Sequence, residues 1–146
     1  MRSAIRYEAL SAVTQAFFEL FCEWNRNYAF DKTLLADTFA LLPAHRSQVL
    51  AAWDGEQAVG YIQVTPRVQL GFARYLEIEQ LLVAEQYRQR GIGAALVREA
   101  ERLARGQGIT RIKLESEISK SGAHVFYERV GFGYSKASKF YEKVLS

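Results

Sequence analysis

The spacing of hydrophobic positions changes several times along this chain. A period of three to four residues predicts four helices, over 13–24, 31–42, 92–103 and 123–130. Alternating or continuous apolar positions predict five strands, over 4–7, 47–53, 58–65, 75–83 and 109–117. The tail, 134–145, is also predicted to be extended. This order of elements predicts an α/β fold, in which a mixed sheet carries helices on its faces.

Turn and capping residues set the limits of several of these elements. Asp54 and Gly55 predict a tight turn between two strands, because glycine adopts positive φ angles without strain. Asp31 suits the N-cap of the second helix, and Pro43 is expected just beyond the end of that helix. No repeat, low-complexity tract or linker interrupts the sequence. We therefore predict one domain over residues 1–146.

Composition excludes several classes of protein. The chain has 19 Lys and Arg against 16 Asp and Glu, and its net charge of +3 does not indicate a nucleic-acid-binding surface. Its longest apolar run, Val49–Trp53, is far shorter than the roughly 18 residues of a membrane span. The first residues lack the apolar core of a secretory signal, so we expect a cytoplasmic protein. A single cysteine, Cys22, excludes an intrachain disulfide and a clustered thiolate metal site, and no metal is expected.

The positive charge is concentrated in one window of the sequence. Residues 84–113 contain seven basic and three acidic side chains, a net charge of +4, which leaves −1 for the rest of the chain. One interpretation is a solvated helix with arginines on its outer face. Arg88 and Arg90 favour a second interpretation, an anion-binding site, because glycines follow them at positions 91 and 93.

Two glycines separated by one residue open the helix that follows strand 75–83. The first N–H groups of a helix have no partner within it, and its dipole adds about half a positive charge there. Gly91 and Gly93 lack the Cβ atoms that would keep a pyrophosphate from the backbone. The dinucleotide-binding motif Gly-x-Gly-x-x-Gly does not match, because Leu96 occupies the position of its third glycine. A Walker loop does not match either, because its Lys-Ser/Thr pair is absent. Two interpretations of the glycine loop remain: a simple helix start, or a phosphate-binding loop of another kind.

Three segments resemble motifs of the GNAT superfamily of N-acetyltransferases. Arg88-x-x-Gly91-x-Gly93 is similar to its acyl-CoA signature. The segment 123–132, AHVFYERVGF, is similar to its Ala-x-x-Phe-Tyr-x-x-x-Gly-Phe helix. The segment 77–83, EIEQLLV, is similar to the central strand that carries the acidic residue of the family. Lys120 departs from the pattern, which often has asparagine at this position.

The resemblance implies the GNAT fold, with a mostly antiparallel sheet and two strands splayed around acetyl-CoA. Backbone groups of Leu81, Leu82 and Val83 would then hold the pantetheine arm. The residues expected at the pyrophosphate follow this strand and open the next helix: Arg88, Gln89, Arg90, Gly91, Ile92, Gly93 and Ala94. Acetyl-CoA is implied as the acyl donor, and a homodimer is compatible with the family.

Acetyl transfer to an amine needs a base and a proton for the departing thiolate. A primary ammonium titrates near about 10.4, so a base must remove its proton. Glu79 is the first candidate, and Glu77 has the same strand parity. The alternative for both carboxylates is an ion pair with a basic residue of a neighbouring strand. The resemblance implies Tyr127 as the proton donor, although a buried tyrosine can also serve packing alone. A strand N–H near Leu82 is the candidate to polarise the thioester carbonyl.

Aromatic residues of the first helix are candidates for an acceptor pocket, with core packing expected for Phe17 and Trp24. Cys22 is expected to be a small core residue, which favours direct attack in a ternary complex. We therefore predict acetyl transfer from acetyl-CoA to a primary amine of a small molecule or peptide, with no nucleic-acid or membrane partner. The alternatives are a non-catalytic acyl-CoA-binding sensor or interaction module, and a phosphate-loop protein for another nucleotide.

Overall fold

The computed structural model describes residues 4–116 and 121–146. Backbone contacts divide the chain into one unit that ends at Leu114 and a second, Glu115–Ser146, and each is described by itself. The first unit contains five strands and three helices: β1 (Arg6–Ala9), α1 (Gln15–Phe21), α2 (Lys32–Leu41), β2 (Gln48–Asp54), β3 (Gln57–Arg67), β4 (Tyr75–Val83), α3 (Ile92–Gly106) and β5 (Ile112–Leu114). The second unit contains one helix, α4 (Ser121–Arg129). The single domain over 1–146 stays a prediction.

The five strands form one sheet in the order β1-β2-β3-β4-β5. The first four are antiparallel, whereas β5 runs parallel to β4, with Leu76 opposite Ile112 and Ile78 opposite Leu114. Beyond Ile78, β4 continues to Val83 without a paired strand on the β5 side within residues 4–116 and 121–146. The predicted mixed, mostly antiparallel sheet is therefore confirmed, and the splay of two strands around acetyl-CoA stays a prediction.

Helices cover both faces of the sheet, as predicted. On one face, the Phe17 ring of α1 lies with its centroid 5.1 Å from that of Tyr61 in β3. On the other face, α3 packs closely against β3 at Gly60, where an added Cβ would lie 3.2 Å from the Cγ2 of Ile92. A side chain at position 60 would therefore push away the first turn of α3, which glycine allows to lie against the sheet.

Local sequence signals correctly predicted the start of α2 and the turn between β2 and β3. The Asp31 side chain accepts hydrogen bonds from the N–H groups of Thr33 and Leu34 and so caps α2. In the β2–β3 hairpin, the positive φ angle falls at Gly55, at 60°. These two predictions are confirmed, because each depends on a few adjacent residues and needs no tertiary contact.

Other boundaries differ from the predictions. The first helix ends at Phe21 and continues only as a 3-10 turn, Cys22–Trp24, and Pro43 lies inside another 3-10 turn, Leu42–His45. The described part of the predicted strand over 109–117 contains only β5, because Ile109 donates its N–H to the Ala104 carbonyl and closes the end of α3. The tail has no strand after Gly131 within residues 132–146. No helix in the described ranges is long and apolar enough to cross a membrane.

Candidate active site

The open edge of β4 is the first part of the candidate site. The Ala84 N–H donates to the Val59 carbonyl of β3, and an added Cβ at Gly60 would lie 3.2 Å from the Leu82 carbonyl oxygen. Backbone groups of alternate residues point to opposite edges of a strand. The backbone N–H and C=O groups of Leu82 therefore point towards β3, and those of Leu81 and Val83 point towards the open edge. This arrangement revises the predicted roles of Leu82, whose backbone groups belong to the sheet ladder and are turned away from the open edge.

The loop after β4 presents a run of free backbone amides. No backbone carbonyl of the described chain accepts a hydrogen bond from the N–H groups of residues 89–94, and the first bond of α3 runs from Ala95 N to Gly91 O. Gln89 and Gly91 have positive φ angles, 62° and 82°, and an added Cβ at Gly91 would meet no atom within 4 Å. Several free amides beside open space at a helix N-terminus form a cradle for an anion. This cradle comprises residues expected at a pyrophosphate: Gln89, Arg90, Gly91, Ile92, Gly93 and Ala94.

The side chains of two arginines in this loop, Arg88 and Arg90, contact other groups of the protein. The Arg88 Nε donates to the Val83 carbonyl at 3.1 Å, and its backbone N–H donates to the Glu85 carbonyl at 3.4 Å. Arg88 is therefore tied to the end of β4 and does not offer its amide to a ligand. The Arg90 guanidinium stacks 4.8 Å from the centroid of the Tyr87 ring, and the Tyr87 hydroxyl donates to Asp54 Oδ2 at 2.7 Å. The hairpin turn thus anchors the loop and keeps a positive charge beside the cradle.

A β-bulge in β4 lies at the candidate base. Val64 pairs with Ile78 and Gln63 with Gln80, which leaves Glu79 as the extra residue. Arg67 of β3 contacts both carboxylates: its Nε lies 3.0 Å from Glu77 Oε2, and its Nη2 pairs with Glu79 Oε1. The alternative of an ion pair with a neighbouring strand is therefore observed for both glutamates.

This ion pair also shifts the titration of the arginine. Burial lowers the pKa of the Arg67 guanidinium, but the charges and hydrogen bonds of Glu79 and Glu77 together raise it above its ordinary value. Arg67 consequently stays charged throughout the neutral range. A base at Glu79 has to exchange this partner for the ammonium group of an acceptor.

Aromatic side chains lie on the same face of the sheet as the two carboxylates. The Trp24 Nε1 donates to the Tyr61 hydroxyl at 2.6 Å, and that hydroxyl donates to Gln80 Oε1 at 2.6 Å. Phe17 is 3% exposed and belongs to the core, as predicted. Trp24 is 39% exposed, so the expectation that it packs in the core is wrong: α1 ends before it, and its indole reaches β3 from a 3-10 turn.

The second unit carries the candidate proton donor. Tyr127 of α4 is half-buried, with its ring centroid 5.5 Å from that of Phe126 and 6.0 Å from that of Phe132. Burial raises the pKa of Tyr127, so its hydroxyl keeps its proton throughout the neutral range. Lys120, the departure from the family pattern, lies outside the described residues.

The sequence of this chain matches the model of the Acetyltransferase (GNAT) family over residues 11–132. The chain belongs to the GNAT acetyltransferase family. The match covers α1 to α4 and includes the loop, the bulged strand and the tyrosine helix.

Known proteins of this kind are similar over most of the chain. N-acetyltransferase 8B of Rattus norvegicus is 34% identical over 115 residues, 77% of this chain and 51% of the relative. Aminoalkylphosphonate N-acetyltransferase of Salmonella typhimurium is 34% identical over 125 residues, 84% of this chain and 80% of the relative. The chain spans about half the length of the N-acetyltransferase 8 relatives it matches.

A solved structure shows the same fold. AAC(6')-Iy in complex with the bisubstrate analog CoA-S-monomethyl-acetylneamine has a TM-score of 0.82 at 18% identity, with 98% of this chain and 100% of that chain covered. The predicted GNAT-like fold is therefore confirmed.

Several functional contacts were missed by sequence reasoning. The GNAT motifs pointed to the loop and to Glu79 but gave no sign of Arg67, Gln80 or Tyr87. Strand parity places Gln80 on the face opposite Glu77 and Glu79, and only the bulge reverses this arrangement. Arg67 and Tyr87 act through partners ten or more residues away in sequence, which no local pattern reveals.

Proposed function

We propose that this GNAT protein is an acetyl-CoA-dependent N-acetyltransferase that acetylates a primary amine of a small molecule or peptide. The observation that carries this proposal is the run of free amides over residues 89–94, which follows directly on the open edge of β4. An extended ligand with a pyrophosphate at one end needs both features together. The names of the relatives and of the CoA-analog complex support the same conclusion.

The residues of the first unit fit acetyl-CoA. The outward backbone groups of Leu81 and the outward N–H of Val83 would hold the pantetheine arm, in the manner of an added strand, because the Val83 carbonyl already accepts from Arg88 Nε. The amides over residues 89–94 would hold the pyrophosphate, with Arg90 adding a full charge. When bound, acetyl-CoA supplies an activated acetyl group as a thioester.

The chemistry assigned to the protein is a proton transfer to Glu79 and a hydrogen bond from Tyr127 to the leaving thiolate. Glu79 takes a proton from the ammonium group of the acceptor, directly or through a water molecule, so that the neutral nitrogen can attack the thioester carbon. The carbon–sulfur bond then breaks and the nitrogen releases its second proton to solvent, while the departing thiolate accepts a hydrogen bond from Tyr127 and takes up a proton from solvent. A thiol titrates near about 8.5, below a tyrosine with a raised pKa, so Tyr127 acts best as a hydrogen-bond donor that solvent keeps protonated.

Acetyl-CoA is expected to stabilise the protein against heat. At about 100 times its dissociation constant, a ligand that binds only the folded state adds about 2.7 kcal/mol to the free energy of unfolding. For a chain of this size this corresponds to a rise of about 5–10 °C in Tm, measured by differential scanning fluorimetry. A shift with NAD or ATP and none with acetyl-CoA would contradict the proposal.

Two glycines provide a matched pair of variants for this experiment. Gly91 and Gly108 lie at opposite ends of α3, and both have positive φ and open space at the Cβ position. Alanine at either site therefore introduces similar backbone strain. Only Gly91→Ala is expected to reduce the Tm shift with acetyl-CoA, because only that methyl group enters the anion cradle.

A further inference from the structure

The bulge at Glu79 brings three polar side chains of β4 to one face of the sheet. Glu77 and Glu79 both contact Arg67, and Gln80 contacts Tyr61. Arg67 and Tyr61 have the same parity on β3, and the extra residue of the bulge lies on β4, so the side chains of Arg67 and Tyr61 share a face. In a regular strand, Gln80 would point away from the two carboxylates. The bulge therefore sets an amide directly beside the proposed base.

The hydrogen bonds of Tyr61 fix the orientation of that amide. The Trp24 indole N–H can only donate, so the Tyr61 oxygen accepts from it at 2.6 Å. Tyr61 is 1% exposed, and burial raises the pKa of its hydroxyl, so the proton stays on the oxygen and needs an acceptor. Within the described part of the chain, the acceptor is Gln80 Oε1 at 2.6 Å. The two donors of the Gln80 amide must then point away from Tyr61.

The Gln80 amino group is available to a ligand. No residue in the described ranges accepts a hydrogen bond from its Nε2, and the side chain is half-buried beside the half-buried Glu79. An amide held by one end loses less conformational entropy when its other end binds. Donors placed in this way discriminate strongly between ligands with and without a matching oxygen.

We propose that Gln80 determines acceptor specificity by donating hydrogen bonds from Nε2 to an oxygen close to the reacting amine, such as an ether, hydroxyl or carbonyl oxygen. Trp24 and Tyr61 are positioning residues that hold the Gln80 amide in this orientation. This inference rests on the proposed N-acetyltransferase function and extends it to a class of acceptor: amines that carry a hydrogen-bond-accepting oxygen on a nearby carbon.

Two amines of equal shape test this inference. 2-Methoxyethylamine and n-butylamine differ only in an ether oxygen or a methylene group at one position, and an ether oxygen can only accept. We measure kcat/KM for each amine at saturating acetyl-CoA and take the ratio of the two values. Comparing this ratio between variants cancels the difference in basicity of the two amines.

Gln80→Glu keeps the oxygen that accepts from Tyr61 but has no N–H to donate. This variant is expected to lower the ratio about tenfold, the effect of one lost hydrogen bond. Tyr61→Phe keeps the donor but releases the amide, and it is expected to lower the ratio about threefold. Gln69→Glu, the same charge change in the exposed β3–β4 loop, is expected to leave the ratio unchanged. The Tm shift with acetyl-CoA verifies that each variant is folded.

A ratio that stays within twofold of the wild type in Gln80→Glu would overturn the assignment of Gln80 while leaving the acetyltransferase intact. Wild-type protein that acetylates neither amine also contradicts the assignment. If the wild type releases no CoA with any amine at all, the proposed function fails with it. Product detection by mass spectrometry separates these outcomes.

Discussion

Replacing Glu79 with glutamine is expected to lower kcat about a hundredfold at pH 7, in the range of a lost general base. At this pH nearly all of the acceptor arrives as an ammonium ion, because its pKa is about 10.4, and glutamine cannot take the proton. The deficit should shrink to about tenfold or less near pH 10, where neutral amine is abundant. Initial rates of thiol release from pH 6 to pH 10 measure this profile.

Glu77→Gln is the matched control for this substitution. Glu77 shares Arg67 with Glu79 and lies on the same face, so its replacement removes the same charge from the same ion pair. We expect only a few-fold loss, with no change in the shape of the pH profile. A large loss in Glu77→Gln with little loss in Glu79→Gln would make Glu77 the base. Unchanged profiles in both variants would point to an ordered water molecule.

Tyr127→Phe is expected to lower kcat about a hundredfold, with little change in KM for acetyl-CoA. The lost hydroxyl would no longer stabilise the thiolate as the carbon–sulfur bond breaks, an interaction that exists only late in the reaction. Because burial raises the pKa of Tyr127, the wild-type hydroxyl stays protonated below pH 10 and should cause no decline of rate in that range. Steady-state kinetics with a good acceptor from an amine panel measure both parameters.

Tyr134→Phe serves as the control for this variant. Tyr134 follows α4 in the same unit and is 81% exposed, so the loss of its hydroxyl should leave kcat unchanged. Full turnover of Tyr127→Phe at every pH would exclude the proton-donor role. The ring contacts with Phe126 and Phe132 would then be the reason for a tyrosine at this position.

The sequence predicted what depends on local patterns. The limits of β4, the N-cap at Asp31 and the start of α3 after Gly91 each follow from a few adjacent residues. Hydrophobic spacing alone predicted a mixed sheet, and the resemblance to the family motifs predicted that this sheet is mostly antiparallel. These features could be predicted because short-range chemistry determines them.

Features that depend on tertiary contacts could not be predicted from the sequence. The bulge at Glu79 is visible only in the pairing of β4 with β3, and it alone brings Gln80 to the face of the carboxylates. The anchoring of the loop by Tyr87 depends on Asp54, 33 residues away. Arg88 shows a different limit: the motif identified it, and its partners Val83 and Glu85 are close in sequence, but the motif did not indicate that these bonds tie it to the loop.

Amine-dependent release of CoA from acetyl-CoA distinguishes an N-acetyltransferase from a protein that only binds acyl-CoA. Purified protein is incubated with acetyl-CoA and a panel of polyamines, amino acids, aminoglycosides and peptides, with thiol release followed by a chromogenic reagent and products by mass spectrometry. At least one amine is expected to accelerate thiol release and to gain an acetyl group in equal amount. Protection of the fold by acetyl-CoA without amine-dependent release would contradict this expectation and identify a non-catalytic acyl-CoA-binding protein.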